Sequence, residues 1–287
     1  MTSPEQHFGR DGLRRFGQGS LLGARLPGVS RVLLTDTGVP HGVLPYFRGA
    51  AEGDAVSLGA FAARSGQPGP PVEMGSWPRI GVDGLAHVCV RPDGAVQAVV
   101  LEDVLDDMFV NTDVSTFIAS LQALDVAVPA VLAAGGLAEA AAVFSRLNEE
   151  LQQVDPAAFA QRESWWPRVL DDLRHTMNFP FSAAFEYEDE SGRRQVVTES
   201  TGPCQPHPEE IIWSRLSAQG VAPRQVLRVY CQLEPCLMPG HYCAVWMSQL
   251  FPRAEFTHSF DYGESADSRE QGLRELIVHS ARQPGQP

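Results

Sequence analysis

The stretch His207-Pro208-Glu209-Glu210-Ile211-Ile212-Trp213, with Pro235-Cys236 and then Cys243 downstream, decides how the second half of this chain is read. One imidazole and two thiolates are a zinc donor set that leaves a fourth position open for water. Zinc lowers the pKa of such a water from about 15.7 to roughly 7. Glu209, two residues past the histidine, is placed to move protons without binding the metal. Six residues, 237–242, separate the two cysteines. Pro239-Gly240 supplies a turn that lets them loop out, so that both sulfurs face one metal. Cys243 opens the run CAVWMSQL, and a thiolate at a helix N-terminus is electrostatically favoured. His241 is the rival third ligand. Glu210 is either a second acid/base candidate or a partner of the helix dipole in the first turn. A closed structural zinc site, with His241 or Cys204 as fourth ligand, is the competing reading.

Outward from this stretch the pattern is regular. FPFSAAFEYED and RRQVVTES flank Glu190-Ser191-Gly192 and predict a β-hairpin. PEEIIWSRLSAQG reads as a helix with acids in its first turn and Gly220 at its end. QVLRVYCQLEP reads as a strand, CAVWMSQL as a helix, AEFTHSFDYG as a strand and SADSREQGLRELIVHS as a last helix. The predicted order is β-β-α-β-α-β-α, with the His-Glu segment at a helix start and the cysteines between a strand and the next helix. Four further residues are candidates for lining a substrate pocket: His258 and Ser259 on the last strand, Tyr262 just after it, and Arg269 at the last helix start.

The first half reads as short strands and turns. RVLLTDTG (31–38), GLAHVCVRPDG (84–94) and AVQAVVLED (95–103) are β-rich, with a hairpin turn at Arg91-Pro92-Asp93-Gly94. Over 109–124 a helix is expected, capped by Asn111 or Thr112, with Val114, Phe117, Ile118 and Leu121 on one face. The Pro/Gly-rich stretch 66–78 reads as a loop. Residues 131–153 are Ala-rich and helical, and 155–175 continue as a helix interrupted by Pro167.

Composition narrows the function classes. Net charge is −13, with acids in excess in both halves. That balance argues against a protein that grips duplex nucleic acid through its phosphates. It is compatible with an enzyme that captures one flipped base or a free nucleoside. No run reaches the ~20 apolar residues needed to cross a bilayer, so no membrane partner is expected. MTSPEQHFGRDGLRRFG has no apolar secretory core. A cytoplasmic location is the expectation, with export by a dedicated apparatus also compatible. Five cysteines in that setting favour free thiols over disulfides.

H-x-E ahead of P-C…C is the signature of zinc-dependent nucleobase deaminases. Residues 179–279 resemble the bacterial toxin deaminases of polymorphic toxin systems, in particular the Xanthomonas-type branch. The resemblance rests on HPEEIIW, LEPCLMPGHYC and FPRAEFTHSFDYGESADSREQG. A Pro-Gly insertion between the cysteines is familiar in that branch. The resemblance implies an α/β (three-layer α-β-α) cytidine deaminase-like domain over 178–287. It implies His207, Cys236 and Cys243 as ligands of Zn2+, and Glu209 as proton shuttle. The substrate it implies is a base, cytosine favoured over adenine, in single-stranded DNA or RNA or in a nucleotide. Residues 8–125 are similar to the SUKH superfamily, mostly immunity proteins that neutralise toxins. That similarity is carried by Phe16-Gly17, Leu26-Pro27, the turn Thr35–Pro40, SWPRIG (76–81) and FVNTDVSTF (109–117). It implies an α+β protein-binding domain over 1–130, with no catalysis of its own and a protein partner. Residues 131–177 are then expected as a helical linker. A noncatalytic zinc-stabilised scaffold and a free nucleoside deaminase are the rival readings.

Overall fold

Gly38 ends a helix rather than a strand, and this reverses the reading of 31–38. In the structure, a computed structural model that describes residues 2–102, 104–263 and 265–282, α1 (Pro4–Phe8) and β1 (Leu13–Arg14) lead into α2 (Gly28–Val32). The chain then continues in a π-turn, Leu33–Thr37. Ser30 in α2 and Leu34 in the π-turn, four residues apart, are the buried positions of residues 28–37, a helical spacing that outweighs the β-branched content. Gly38, at φ 83°, closes the turn with its N–H on the Leu33 carbonyl at 2.7 Å. A Cβ there would lie 2.4 Å from the Arg14 carbonyl oxygen.

Contacts divide the chain into two compact units, Met1–Leu170 and Asp171–Pro287. In the first, β2 (Val39–Pro40) pairs with β1. A six-stranded antiparallel sheet then runs in chain order: β3 (Gly42–Val43), β4 (Phe47–Gly49), β5 (Arg79–Val82), β6 (His87–Val90), β7 (Val96–Val99) and β8 (Met108–Asn111). The expected β6–β7 hairpin and its turn at 91–94 are present. Helix α3 (Leu58–Ser65) precedes the loop expected over 66–78, which holds no strand or helix.

Helix α4 (Val114–Leu132) starts later than expected, because Asp113 rather than Asn111 or Thr112 caps it. Asp113 Oδ1 accepts from the Thr116 N–H at 2.8 Å, and Thr116 Oγ1 accepts from the Asp113 N–H. Asn111 lies in β8, and Thr112 donates its N–H to buried Asp155 at 2.7 Å. By length and composition α4 could cross a membrane, yet more than half of it is buried, as in a core helix. Helix α5 (Leu137–Val154) packs along α4 and buries Ala140, Val143, Leu147 and Leu151. Most of the stretch expected as a linker from 131 therefore belongs to the first unit, because this apolar stripe needs a partner. Helix α6 (Trp165–Asn178) carries Pro167 in its first turn, where no intrahelical bond is lost, so the helix is not interrupted. Within the first unit Trp165 Nε1 donates to Asp83 at 2.6 Å and Trp166 Nε1 to Asn111 at 2.8 Å.

The second unit follows the expected order. Hairpin β9 (Ser182–Glu188) and β10 (Arg194–Ser200) is followed by α7 (Pro208–Ala218), β11 (Val226–Leu233), α8 (Cys243–Leu250), β12 (Glu255–Phe260) and α9 (Ala266–Ala281). The mixed sheet has strand order β10-β9-β11-β12, with β11 and β12 parallel. Ala183, Phe185, Val229, Cys231 and Leu233 form one buried cluster with Ile212, Met247 and Leu276 from α7, α8 and α9 and with Phe251 just past α8. The chain is thus an α+β unit followed by an α/β unit. A parallel strand–helix–strand crossover sets the cysteines beyond the C-terminal end of β11, where such sheets place ligand sites.

Candidate metal centre and active site

His207 sits one residue before α7, and its backbone N–H is taken by Glu210 Oε2 at 2.8 Å, closing the first turn. Glu209 follows in that turn and is buried. Cys236 comes three residues after β11. The intervening loop folds back through Met238, whose carbonyl accepts from His241 and Tyr242 N–H at 3.1 and 3.0 Å. Gly240 (φ 83°) and Tyr242 (φ 44°) make the reversal, and the Cys236 carbonyl accepts the Ala244 N–H at 3.1 Å. This brings Cys243, at the α8 N-terminus, beside Cys236. The two sulfurs lie 3.4 Å (Cys236) and 3.5 Å (Cys243) from His207 Nδ1.

His207, Cys236 and Cys243 thus form a fully buried group whose donor atoms all lie within 4.8 Å of one another. Neither Cys204 nor His241 belongs to it. The His241 ring stacks on His207 at 3.9 Å and 5°, with its nitrogens turned to carboxylates: Nδ1 to Glu210 at 2.7 Å and Nε2 to Asp172 at 3.3 Å. Burial and the His207 ring push the His241 pKa down, but these two carboxylates carry it up to about 9. Burial likewise raises Asp172, yet His241 and His207 hold it well below the usual carboxylate range.

The three side chains could hold a metal ion, and the protonation of each depends on the others. Burial disfavours a thiolate at Cys236, but the Cys243 hydrogen bond and the His207 charge pull its pKa well below the ordinary thiol value. Burial and the Cys236 sulfur drive Cys243 well above it. His207 is raised, against its burial, by Cys236 and Asp172. The Cys236 sulfur thus carries a negative charge beside a protonated His207 and a neutral Cys243, and a divalent cation held by the three would displace the remaining protons.

Glu209 faces the same space. Its Oε2 is buried and has no hydrogen-bond partner among the described residues. Burial raises its pKa, opposed by the His207 charge and a hydrogen bond with Cys231. An unpartnered buried carboxylate oxygen costs stability unless a ligand completes it. Glu209 lines a narrow cavity whose walls also include His175, Phe181, Glu234 and Tyr262 as well as His207 and Cys236. Glu234 Oε2 accepts from the backbone N–H groups of Tyr262 and Gly263 at 3.0 and 2.9 Å, holding the exit of β12 against the cavity.

Of the four pocket candidates only Tyr262 lines this cavity, its hydroxyl 2.5 Å from His175 Nδ1. His258 is paired with Asp261 at 3.1 Å, and Ser259 with Tyr230 at 2.7 Å, both on the exposed strand. Arg269 is buried and faces Asp171 at 3.6 Å rather than lining the cavity. Sequence reasoning missed Asp172, His175 and Thr176. They are on α6, outside any motif, and only an acid and a histidine three residues apart on one helix face marked them.

Residues 3–172 match the family model described as SUKH-4 immunity protein, and residues 180–279 match that of the Xanthomonas-like deaminase. Both resemblances read from the sequence are thereby met, in the same order along the chain. No curated protein and no solved structure matches.

Proposed function

We propose that this chain, which belongs to the SUKH-4 immunity protein family and carries a Xanthomonas-like deaminase domain behind it, hydrolytically deaminates a nucleobase with zinc as cofactor. The observation that carries the reading is the unpartnered buried Glu209 Oε2 beside the His207-Cys236-Cys243 donor group. His207 Nδ1 and the two sulfurs would hold the zinc, which when bound supplies the Lewis acidity that makes water nucleophilic near neutral pH. The burial of all three excludes bulk water from the donors. Glu209 Oε2 takes a proton, delivers it to the ring nitrogen next to the reacting carbon, and serves the departing amine in the same way. Phe181 and Tyr262 border the cavity and supply aromatic surface for a base ring.

Cytosine in a single strand or in a nucleotide is the preferred substrate, on family grounds. A free nucleoside is the second reading, favoured by the net charge of −13, which gives little for a phosphate backbone to grip. The SUKH-4 unit is proposed to bind a protein partner. Sequencing DNA and RNA from cells that express the chain beside Glu209→Gln, with ammonia release from nucleosides and oligonucleotides in vitro, tests the reading. Glu209→Gln is expected to lose about 10²–10⁴-fold in rate while keeping its zinc. Undiminished turnover in that variant would sink the mechanism.

A further inference from the structure

An imidazole can offer only one nitrogen to the thiol side of its ring, so whatever holds the other decides which tautomer is presented. His207 turns Nδ1 to the cysteines and Nε2 to Asp172 Oδ1, at 3.0 Å. Asp172 is buried, 35 positions before His207, on α6 and outside the 180–279 match. Its other oxygen faces His241 Nε2 at 3.3 Å. His241 stacks on His207, and its far nitrogen is held by Glu210, which also takes the His207 backbone N–H. The ring of His207 is thus fixed on its edge by Asp172, on its face by His241, and at its backbone by Glu210. The cavity wall beside it is completed from the same helix by His175 and Thr176.

We propose that Asp172 is the positioning residue of this site: its carboxylate takes the His207 Nε2–H and keeps Nδ1 aimed between the two sulfurs. The inference rests on the metal reading above. It makes the end of α6, from Asp171 onward, part of the deaminating unit, although the deaminase family match begins only after that helix. Carboxylates that orient a ligating histidine in this way are worth roughly 10–100-fold in metal affinity.

Chelator-competition titration of zinc on the full chain tests it, comparing wild type, Asp172→Asn, Asp171→Asn and His207→Ala. Asp171→Asn, on the same helix as Asp172, breaks contacts to Arg174 and to Arg269 of α9 without touching His207, and so controls for structural damage. Asp172→Asn is expected to weaken zinc binding about 10–100-fold and Asp171→Asn to leave it unchanged. Wild-type affinity in Asp172→Asn, with binding lost in His207→Ala, overturns the positioning role and leaves the metal reading standing. Failure of the wild-type chain to take up zinc overturns both. A second measurement needs no variant. In the zinc-loaded wild type, the side-chain NMR signal of His207 should show a slowly exchanging proton on Nε2. A proton on Nδ1 instead overturns the proposal.

Discussion

Cys243 and His241 stand two residues apart, yet their side chains serve different partners. The Cys243 sulfur points at His207 Nδ1, whereas the His241 ring is clamped between Asp172 and Glu210. Both are types zinc accepts, so the distinction lies in the direction each side chain takes from the turn at Gly240–Tyr242. Cys243→Ser is therefore expected to lose zinc through gel filtration, and His241→Gln to keep one zinc per chain, as read by metal analysis. The opposite result would return the third ligand to His241. Cys231 gains a role from the fold as well. It is buried in β11 and hydrogen-bonds Glu209, whose Oε2 keeps no partner among the described residues.

At the scale of elements, the close fit of α9 to the end of β12 fixes the far wall of the cavity. A Cβ on Gly272 would lie 1.7 Å from the Asp261 carbonyl oxygen, next to Tyr262. Gly272→Ala must push α9 away, at a cost of about 1–3 kcal/mol, and should weaken activity through displaced Tyr262. Chemical denaturation with parallel assays checks this, and wild-type stability would refute it. In the first unit the Asp113 cap sets where α4 begins. Asp113→Ala is expected to cost about 1 kcal/mol, seen as a lower denaturation midpoint for that unit. The shift of this cap from the expected Asn111 or Thr112 has a plain cause. Both residues already serve the buried Asp155 carboxylate, which approaches from 43 residues or more down the chain.

For the whole molecule, two units with separate cores predict separable responses. Chelation of zinc should lower the melting transition of the second unit and leave that of the first in place, since a ligand stabilises only the fold that binds it. Calorimetry with and without chelator reads both at once. The first unit carries its own pH response. His87 accepts from Arg79 Nε at 3.0 Å and lies 3.1 Å from Gln67 Oε1, and burial together with Arg79 lowers its pKa to about 4. Between pH 6.5 and 4 the unfolded chain takes up a proton that the folded unit resists. Stability is therefore full above pH 6.5 and declines as pH falls toward 4, by on the order of 1–3 kcal/mol. His87→Gln should flatten that slope in urea titrations of the first unit. An unchanged slope would assign the acid sensitivity elsewhere.

The order of elements in the second unit, the His-Glu helix start and the cysteine pair were all legible in the sequence. Local signals carry them: alternation in the strands, acids at the head of α7, and a Pro-Gly turn between the sulfurs. The two-domain plan was legible for the same reason, through residues at fixed short spacings. Three things were decided only by tertiary structure. The helix over 31–37 depends on Gly38 meeting the Arg14 backbone, and α5 joins the first unit because its apolar stripe packs along α4. The third is the hold on His207, which comes from Asp172 on α6. Short-range chemistry writes motifs into neighbouring residues, but a carboxylate that holds a histidine from another helix leaves no spacing to read; only the fold brings it within 3.0 Å.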